Sequence, residues 1–374
     1  MKPVEIKALS GARAIGAVMI VAYHFATAHF YVPFAPVLGR PVTKAYLWVE
    51  FFFALSGFIL VHVYSGRALH YGAFLKARLA RLYPVHLATL LTLLALMVAV
   101  NAAAIHWHFP SIYASPHGPT NTLTSFIANV FLVQTWGFIH DLTWNTAAWF
   151  VSVEFFLCLI FPLYLALARG SVWRGAMLIA IGAIWLTVLG WNSGVGLDIT
   201  FNNGLFRGMA DFTIGAGMAL IFRRLKDLPI PERVHSQIQA AVLVLVVVAT
   251  YCSGPRHSRG DIVMGLALIA LILPLASDKG FLARLFQTRP FQIVGGWSYA
   301  IYMGQTFWMQ TLRQIDPMLT SAPPEFGIRI SKLMWYGEPL ALLAVCILWG
   351  GLLTFGVERP AHRWLAKRRT QSAG

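Results

Sequence analysis

The sequence predicts an all-α, polytopic bundle of transmembrane helices, with about ten spans and both termini in the cytoplasm. Three observations predict it. Of 374 residues, 58% are hydrophobic and only 11% are charged, against about 25% charged in an ordinary soluble domain; mean hydropathy is +0.66. Apolar runs recur near 11–31, 46–65, 82–104, 145–168, 175–191, 205–222, 237–252, 262–276, 292–312 and 336–357, most of them near the length that crosses a bilayer as a helix. With the N-terminus placed inside, 21 of the 29 Lys and Arg fall in cytoplasmic segments and 8 in outer ones, the asymmetry of the positive-inside rule. That asymmetry, facing anionic headgroups, accounts for the net charge of +15 with the lipid bilayer as partner and no nucleic acid.

The first span carries Arg13 and His24. Eleven residues are about three helical turns, so the two share one stripe roughly 16 Å apart along the axis. Arg13 is expected at the water boundary and His24 past mid-bilayer, where an ionisable group is costly and usually faces a site. The preceding residues lack a small-residue cleavage site and read as no cleavable signal. The second span carries Glu50 in Trp48-Val49-Glu50-Phe51-Phe52-Phe53-Ala54-Leu55-Ser56-Gly57-Phe58. If spans one and two form an antiparallel hairpin turning near Leu38, Glu50 comes to the depth of His24. A carboxylate there would orient the imidazole as a general base; two unrelated snorkelling residues are the plainer alternative.

Arg78 and Arg81 follow at the inner boundary, three apart on one helical face. Paired guanidiniums suit a phosphate, although the positive-inside excess alone explains either one. The segment 126–139 is apolar but short and reads as interfacial or re-entrant. Trp and His in His106–Pro110 and Trp144–Trp149 read as interface anchors. In the fourth span, Glu154 has no basic neighbour in sequence, so its partner must come from another helix or it stays protonated. Ser152 reads as a hydroxyl bonding back to its own helix. Arg207 and Asp211, four apart, read as a pair within one helix, and Arg256–Asp261 as a solvated outer loop. In the ninth span, Ser298 and Tyr302 share a face, as do Tyr302 and Gln305; this polar stripe suits helix contact or a sugar-binding cavity equally. Cys158, Cys252 and Cys346 form no pairwise motif, which argues against a disulfide framework and a metal site. No repeat or second domain is visible, so 1–374 reads as one domain with a short cytoplasmic tail over about 359–374.

Taken together the motifs resemble the acyltransferase-3 family, integral membrane enzymes that acylate carbohydrates. The resemblance rests on Arg-x10-His at Arg13 and His24, Val-[Asp/Glu]-x-Phe-Phe-x-x-Ser-Gly-Phe at Val49–Phe58, and Arg-x-x-Arg-x-Tyr-Pro at Arg78–Pro84. It continues with Trp-x-x-x-x-Glu-x-Phe at Trp149–Phe156, Ser-Tyr-x-x-Tyr at Ser298–Tyr302 and Val-Glu-x-Pro at Val357–Pro360. Two positions depart from the family: Glu50 stands where aspartate is common, and Gln305 where a histidine often follows the tyrosine motif. The sequence reads as the membrane module alone, without the esterase-like domain that some members append.

The resemblance implies an inner-membrane O-acyltransferase that moves an acyl group, most often acetyl, from cytoplasmic acyl-CoA to a hydroxyl of a cell-surface or lipid-linked glycan. Acyl-CoA is then a co-substrate, with no bound cofactor. Arg13, Arg78 and Arg81 would meet its phosphates, His24 would serve as base or transient acyl carrier, Glu50 and Glu154 would complete the catalytic set, and Ser298 and Tyr302 would contact substrate. A periplasmic partner is compatible with a single-module enzyme. The competing reading is a proton-coupled transporter or flippase that uses His24, Glu50 and Glu154 as a relay.

Overall fold

The computed structural model describes residues 5–27, 35–107, 111, 120–168, 170–320 and 340–364. Among them the chain forms helices and no strand. In order these are α1 (Lys7–Thr27), α2 (Ala35–Thr43), α3 (Trp48–Tyr64), α4 (Tyr71–Trp107), α5 (Leu123–Val130), α6 (Trp149–Leu167) and α7 (Val172–Asn192). They continue as α8 (Gly204–Leu225), α9 (Glu232–Cys252), α10 (Gly260–Ala270), α11 (Ile272–Leu275), α12 (Phe281–Phe286), α13 (Arg289–Thr320) and α14 (Leu340–Trp364). Eight helices are long and apolar enough to cross a membrane: α1, α3, α4, α6, α7, α8, α9 and α14. The two remaining apolar runs are the shorter α10–α11 unit, Gly260–Leu275, and the long but more polar α13. Residues 28–31 of the first run, His108–Pro110, residues 336–339 of the last run and the tail beyond Trp364 lie outside the described residues.

The core is organised around α8, whose apolar window is 78% buried, against 17% for α4 and α9. Small residues let its neighbours come close, the usual packing device inside a membrane. A Cβ on Gly215 would lie 1.8 Å from the Ala54 carbonyl oxygen of α3, and one on Gly57 2.3 Å from that of Phe212. The lipid-side faces of α7 and α9 carry exposed Ile181, Ile184, Val188, Val244 and Val248. Parallel to α1 lies α13, joined to it by Gly295, where a Cβ would meet the Ser10 carbonyl oxygen at 2.1 Å. The start of α1 is capped from far along the chain: the Asp278 carboxylate accepts from the Lys7 and Ala8 amides at 3.1 and 2.7 Å. The first-turn amides of a helix have no partner within it, so such a cap fixes where it begins.

Several local expectations change. Leu38 sits on α2, not in a turn between two spans. The 126–139 segment is a capped short helix followed by turns, held to α6 by Ser152, whose hydroxyl donates to the Leu132 carbonyl (2.8 Å) and accepts from Thr135 Oγ1 (2.8 Å). Ser152 therefore bonds across to that segment and not back into its own helix. Trp107 is exposed, as an interface anchor would be, but Trp144 and Trp149 are buried; Trp144 Nε1 donates to Ser125 Oγ at 3.0 Å. Nor is 256–261 simply a solvated loop: Asp261 is fully buried, ion-paired with Lys44 and accepting from the Tyr46 hydroxyl at 2.5 Å.

Candidate active site

At the end of the bundle where α1 begins, a cavity of about 520 Å³ opens between α1, α3, α4, α6 and α13. Its polar wall is built from separate helices: Ser10 and Arg13 of α1 with Glu5 just before it, Ser56 of α3, Arg78 and Arg81 of α4, Glu154 of α6 and Tyr299 of α13. Spacing on α4 puts both of its arginines on one face, and the cavity lies against that face. Glu154 finds its partner on another helix, as its apolar setting predicts: Oε1 accepts from Arg78 Nη2 and from Ser56 Oγ, both at 2.5 Å. The other carboxylate oxygen, Oε2, is buried without a hydrogen-bond partner. Tyr299 donates to the Leu82 carbonyl at 2.6 Å, fixing the α13 wall to α4. Arg13 and Arg81 donate to none of the described residues. Two guanidiniums without a carboxylate at hydrogen-bond distance, in a cavity inside a membrane protein, make a site suited to an anion.

His24 lies on the stripe of α1 that also carries Arg13, about three turns further on. Its ring meets Tyr23 edge-on at 5.1 Å. Glu50 does not hold it. The Glu50 carboxylate is fully buried and clasped by Arg207 of α8, whose Nε donates to Oε1 and Oε2 at 2.9 and 3.1 Å and whose Nη2 also donates to Oε1. Arg207 Nη1 donates to the Ile199 carbonyl at 3.0 Å, and its guanidinium lies 5.5 Å over the Trp149 ring. The physical reason is azimuth. Trp48 and Phe52, one turn apart, face Gly16 of α1. Glu50 lies halfway between them in sequence, about 200° round the helix, and faces α8 and α10, where a Cβ on Gly265 would meet its Cγ at 3.0 Å. The expected pair of Arg207 with Asp211 is likewise replaced: Arg207 reaches across to α3, while Asp211, buried beside Glu50, has no hydrogen-bond donor on either oxygen.

An acyltransferase-domain family model matches residues 6–357. The chain belongs to the acyltransferase-3 family. It is 25% identical over 396 aligned residues to the acyltransferase MdmB of Streptomyces mycarofaciens, covering 98% of this chain and 94% of that one. To the peptidoglycan O-acetyltransferase OatA of Listeria monocytogenes it is 23% identical over 332 residues, 80% of this chain and 48% of the relative. A 97-residue stretch is 39% identical to protein 2 of the picA locus of Rhizobium radiobacter, covering 25% of this chain and 46% of that one. The chain thus spans about half the length of the latter two relatives. No solved structure matches. This is therefore a multi-pass membrane protein of an acyltransferase family.

Within this acyltransferase-3 bundle, the α13 stripe is real but does not reach the cavity through the residues expected. Ser298 and Tyr302 are buried and absent from its wall; Tyr299, between them, lines it. Tyr302 packs against Phe150 at 5.6 Å. Gln305 donates to the Tyr302 carbonyl at 3.0 Å, leaving its Oε1 buried and unpartnered, as is Ser298 Oγ. Sequence reasoning missed Ser56 and Tyr299 as wall residues, although both lie inside motifs already singled out. It also missed Arg207 as the partner of Glu50. An arginine in an apolar helix with carboxylates on neighbouring spans was the available signal.

Proposed function

We propose that the protein is an inner-membrane O-acyltransferase that transfers an acyl group, acetyl in the simplest case, from cytoplasmic acyl-CoA to a hydroxyl of a cell-surface or lipid-linked glycan. One observation carries the reading: Arg13 and Arg81 line one cavity wall and donate to no described residue, so that with Glu358 and Glu5 near but not hydrogen-bonded to them their donors are left for the phosphates of a donor entering from the basic end. The concentration of Lys and Arg in segments on that side supports its assignment to the cytoplasm. A peptidoglycan O-acetyltransferase among the relatives supports a glycan acceptor. In this reading 1–374 is one domain with both termini inside.

His24 lies beyond the cavity wall, which on α1 ends at Arg13, so in this reading the thioester extends past the lining residues along α1 toward it. The imidazole takes the proton of the acceptor hydroxyl as its oxygen attacks the thioester carbonyl. The carbon–sulfur bond breaks, the acyl group leaves on the acceptor oxygen, and the CoA thiolate recovers a proton from the imidazolium. Glu154, with one oxygen held by Arg78 and Ser56, sets the arginine cluster. Glu50 acts through α8, keeping α3 in place. Surface glycans from cells with and without the protein, compared by mass spectrometry, test this directly. Glycans heavier by one acyl group only when the protein is present are expected; identical glycans, together with no CoA binding by the purified protein, would sink the reading.

A further inference from the structure

At the opposite end of the bundle from the cavity, the last turn of α1 lies beside a second polar cluster. Asp198, after α7, accepts from Arg256 Nη2 at 3.0 Å and bonds His257 Nε2 at 2.7 Å. The Arg256 guanidinium lies 5.0 Å over the Tyr23 ring and 5.8 Å over that of Tyr46. Tyr23 is the residue before His24 and touches its ring. Below the cluster the scaffold is sealed: the Tyr46 hydroxyl bonds Asp261, which is paired with Lys44, and these two charged side chains are 0% and 1% exposed. Above it the three groups are open, with Asp198 22%, Arg256 35% and His257 39% exposed.

The contrast between the sealed and the open layer argues for a ligand. The buried Lys44–Asp261 pair already ties this loop to the chain before α3, whereas a partly exposed ion pair contributes little to stability. The open layer instead offers a carboxylate to accept from hydroxyls, and an imidazole and a guanidinium to donate. Such convergent donors and acceptors are what fixes a polyol's hydroxyls, and the buried Tyr23 and Tyr46 rings beneath hold the Arg256 guanidinium in place. His257 is held there at φ 61°, a left-handed backbone uncommon outside glycine.

We infer that Asp198, Arg256 and His257 form the acceptor subsite, binding a hydroxyl-rich sugar on the outer side next to His24. The inference rests on the acyl-transfer reading and adds which residues take the acceptor. It is tested in cells lacking their own copy and expressing the full-length chain, with acyl groups on surface glycans counted by mass spectrometry. Purified proteins are assayed in parallel for CoA binding and melting temperature. Asp198→Asn and His257→Gln should each lower glycan acylation about ten- to a hundredfold, the range for one charge-assisted hydrogen bond, with CoA binding and melting temperature at wild-type values. A charge swap, Asp198→Arg with Arg256→Asp, rebuilds the ion pair but misplaces the carboxylate and should stay inactive. Normal acylation in Asp198→Asn, recovery in the swap, or parallel loss of CoA binding and melting temperature would each overturn the inference. A wild-type chain that marks no glycan overturns the acyl-transfer reading itself, which is a different result from an active wild type with an equally active Asp198→Asn.

Discussion

Two carboxylate–arginine pairs sit inside this bundle, and they are not alike. Glu50–Arg207 is sealed, with side chains 0% and 1% exposed, and its arginine is further held by a carbonyl and a tryptophan ring. Glu154–Arg78 borders the cavity, with side chains 4% and 16% exposed, and leaves one carboxylate oxygen unpartnered. An intramembrane charge is by default a functional candidate, and both pairs meet that description from sequence alone. Completeness of pairing separates them. In the sealed pair both Glu50 oxygens are bonded and α3 is clamped to α8, with Asp211 buried beside it; the open pair keeps bonding capacity on a cavity wall.

The sharpest way to break this comparison is to remove one partner of the sealed pair. Arg207→Ala leaves Glu50 buried and uncompensated, a loss of about 3–5 kcal/mol. The variant should fail to accumulate as folded protein in fluorescence-detected size-exclusion chromatography. Replacing both partners with apolar residues of similar volume, Glu50→Leu with Arg207→Met, should recover much of the folded yield. A well-folded Arg207→Ala would remove the structural role. His24→Gln should do the opposite: melting unchanged and glycan acylation down about 10²–10⁴-fold, the range for losing a general base. Near-normal acylation in that variant would move the base to Glu154.

Weaker effects sharpen the open pair. Arg81→Ala should reduce CoA affinity about tenfold or more while hardly changing the affinity for a short thioester without the nucleotide, because the lost contact is to phosphate. Arg81→Lys should restore only part of it; isothermal titration with both donors reads this out. Equal loss for the two donors would assign Arg81 to packing. Smallest is Ser56→Ala, which removes one hydrogen bond to Glu154 and should cost about 1 kcal/mol of thermal stability, with CoA affinity within a few-fold of wild type.

The fold class, the place of nearly every long helix and the shared face of Arg78 and Arg81 were legible in the chain, whereas the Arg78 partner of Glu154 was not. Run length and helical spacing determine these three locally. What was not legible is azimuth between helices. Counting residues from a turn estimates depth, so it brings Glu50 level with His24, but it says nothing about which way Glu50 points. That depends on which flank of α3 meets α1, and the answer lies in Trp48 and Phe52 against Gly16. Ser298 and Tyr299 differ in the same way: adjacent residues sit about 100° apart, and one of them lines the cavity. The buried Lys44–Asp261 pair joins residues 217 apart, and no local pattern announces it.

The cap on α1 carries a consequence for how the protein is made. The helix that bears Arg13 and His24 precedes every other described helix, yet its opening amides are held by Asp278, 270 and 271 residues later. Gln292 adds a bond to the Lys7 carbonyl at 2.8 Å across 285 positions. During insertion this helix must wait in the bilayer with a frayed end until α12 and α13 arrive. A nascent chain stalled anywhere before Asp278 therefore carries Arg13 and His24 on a helix whose start still lacks its cap.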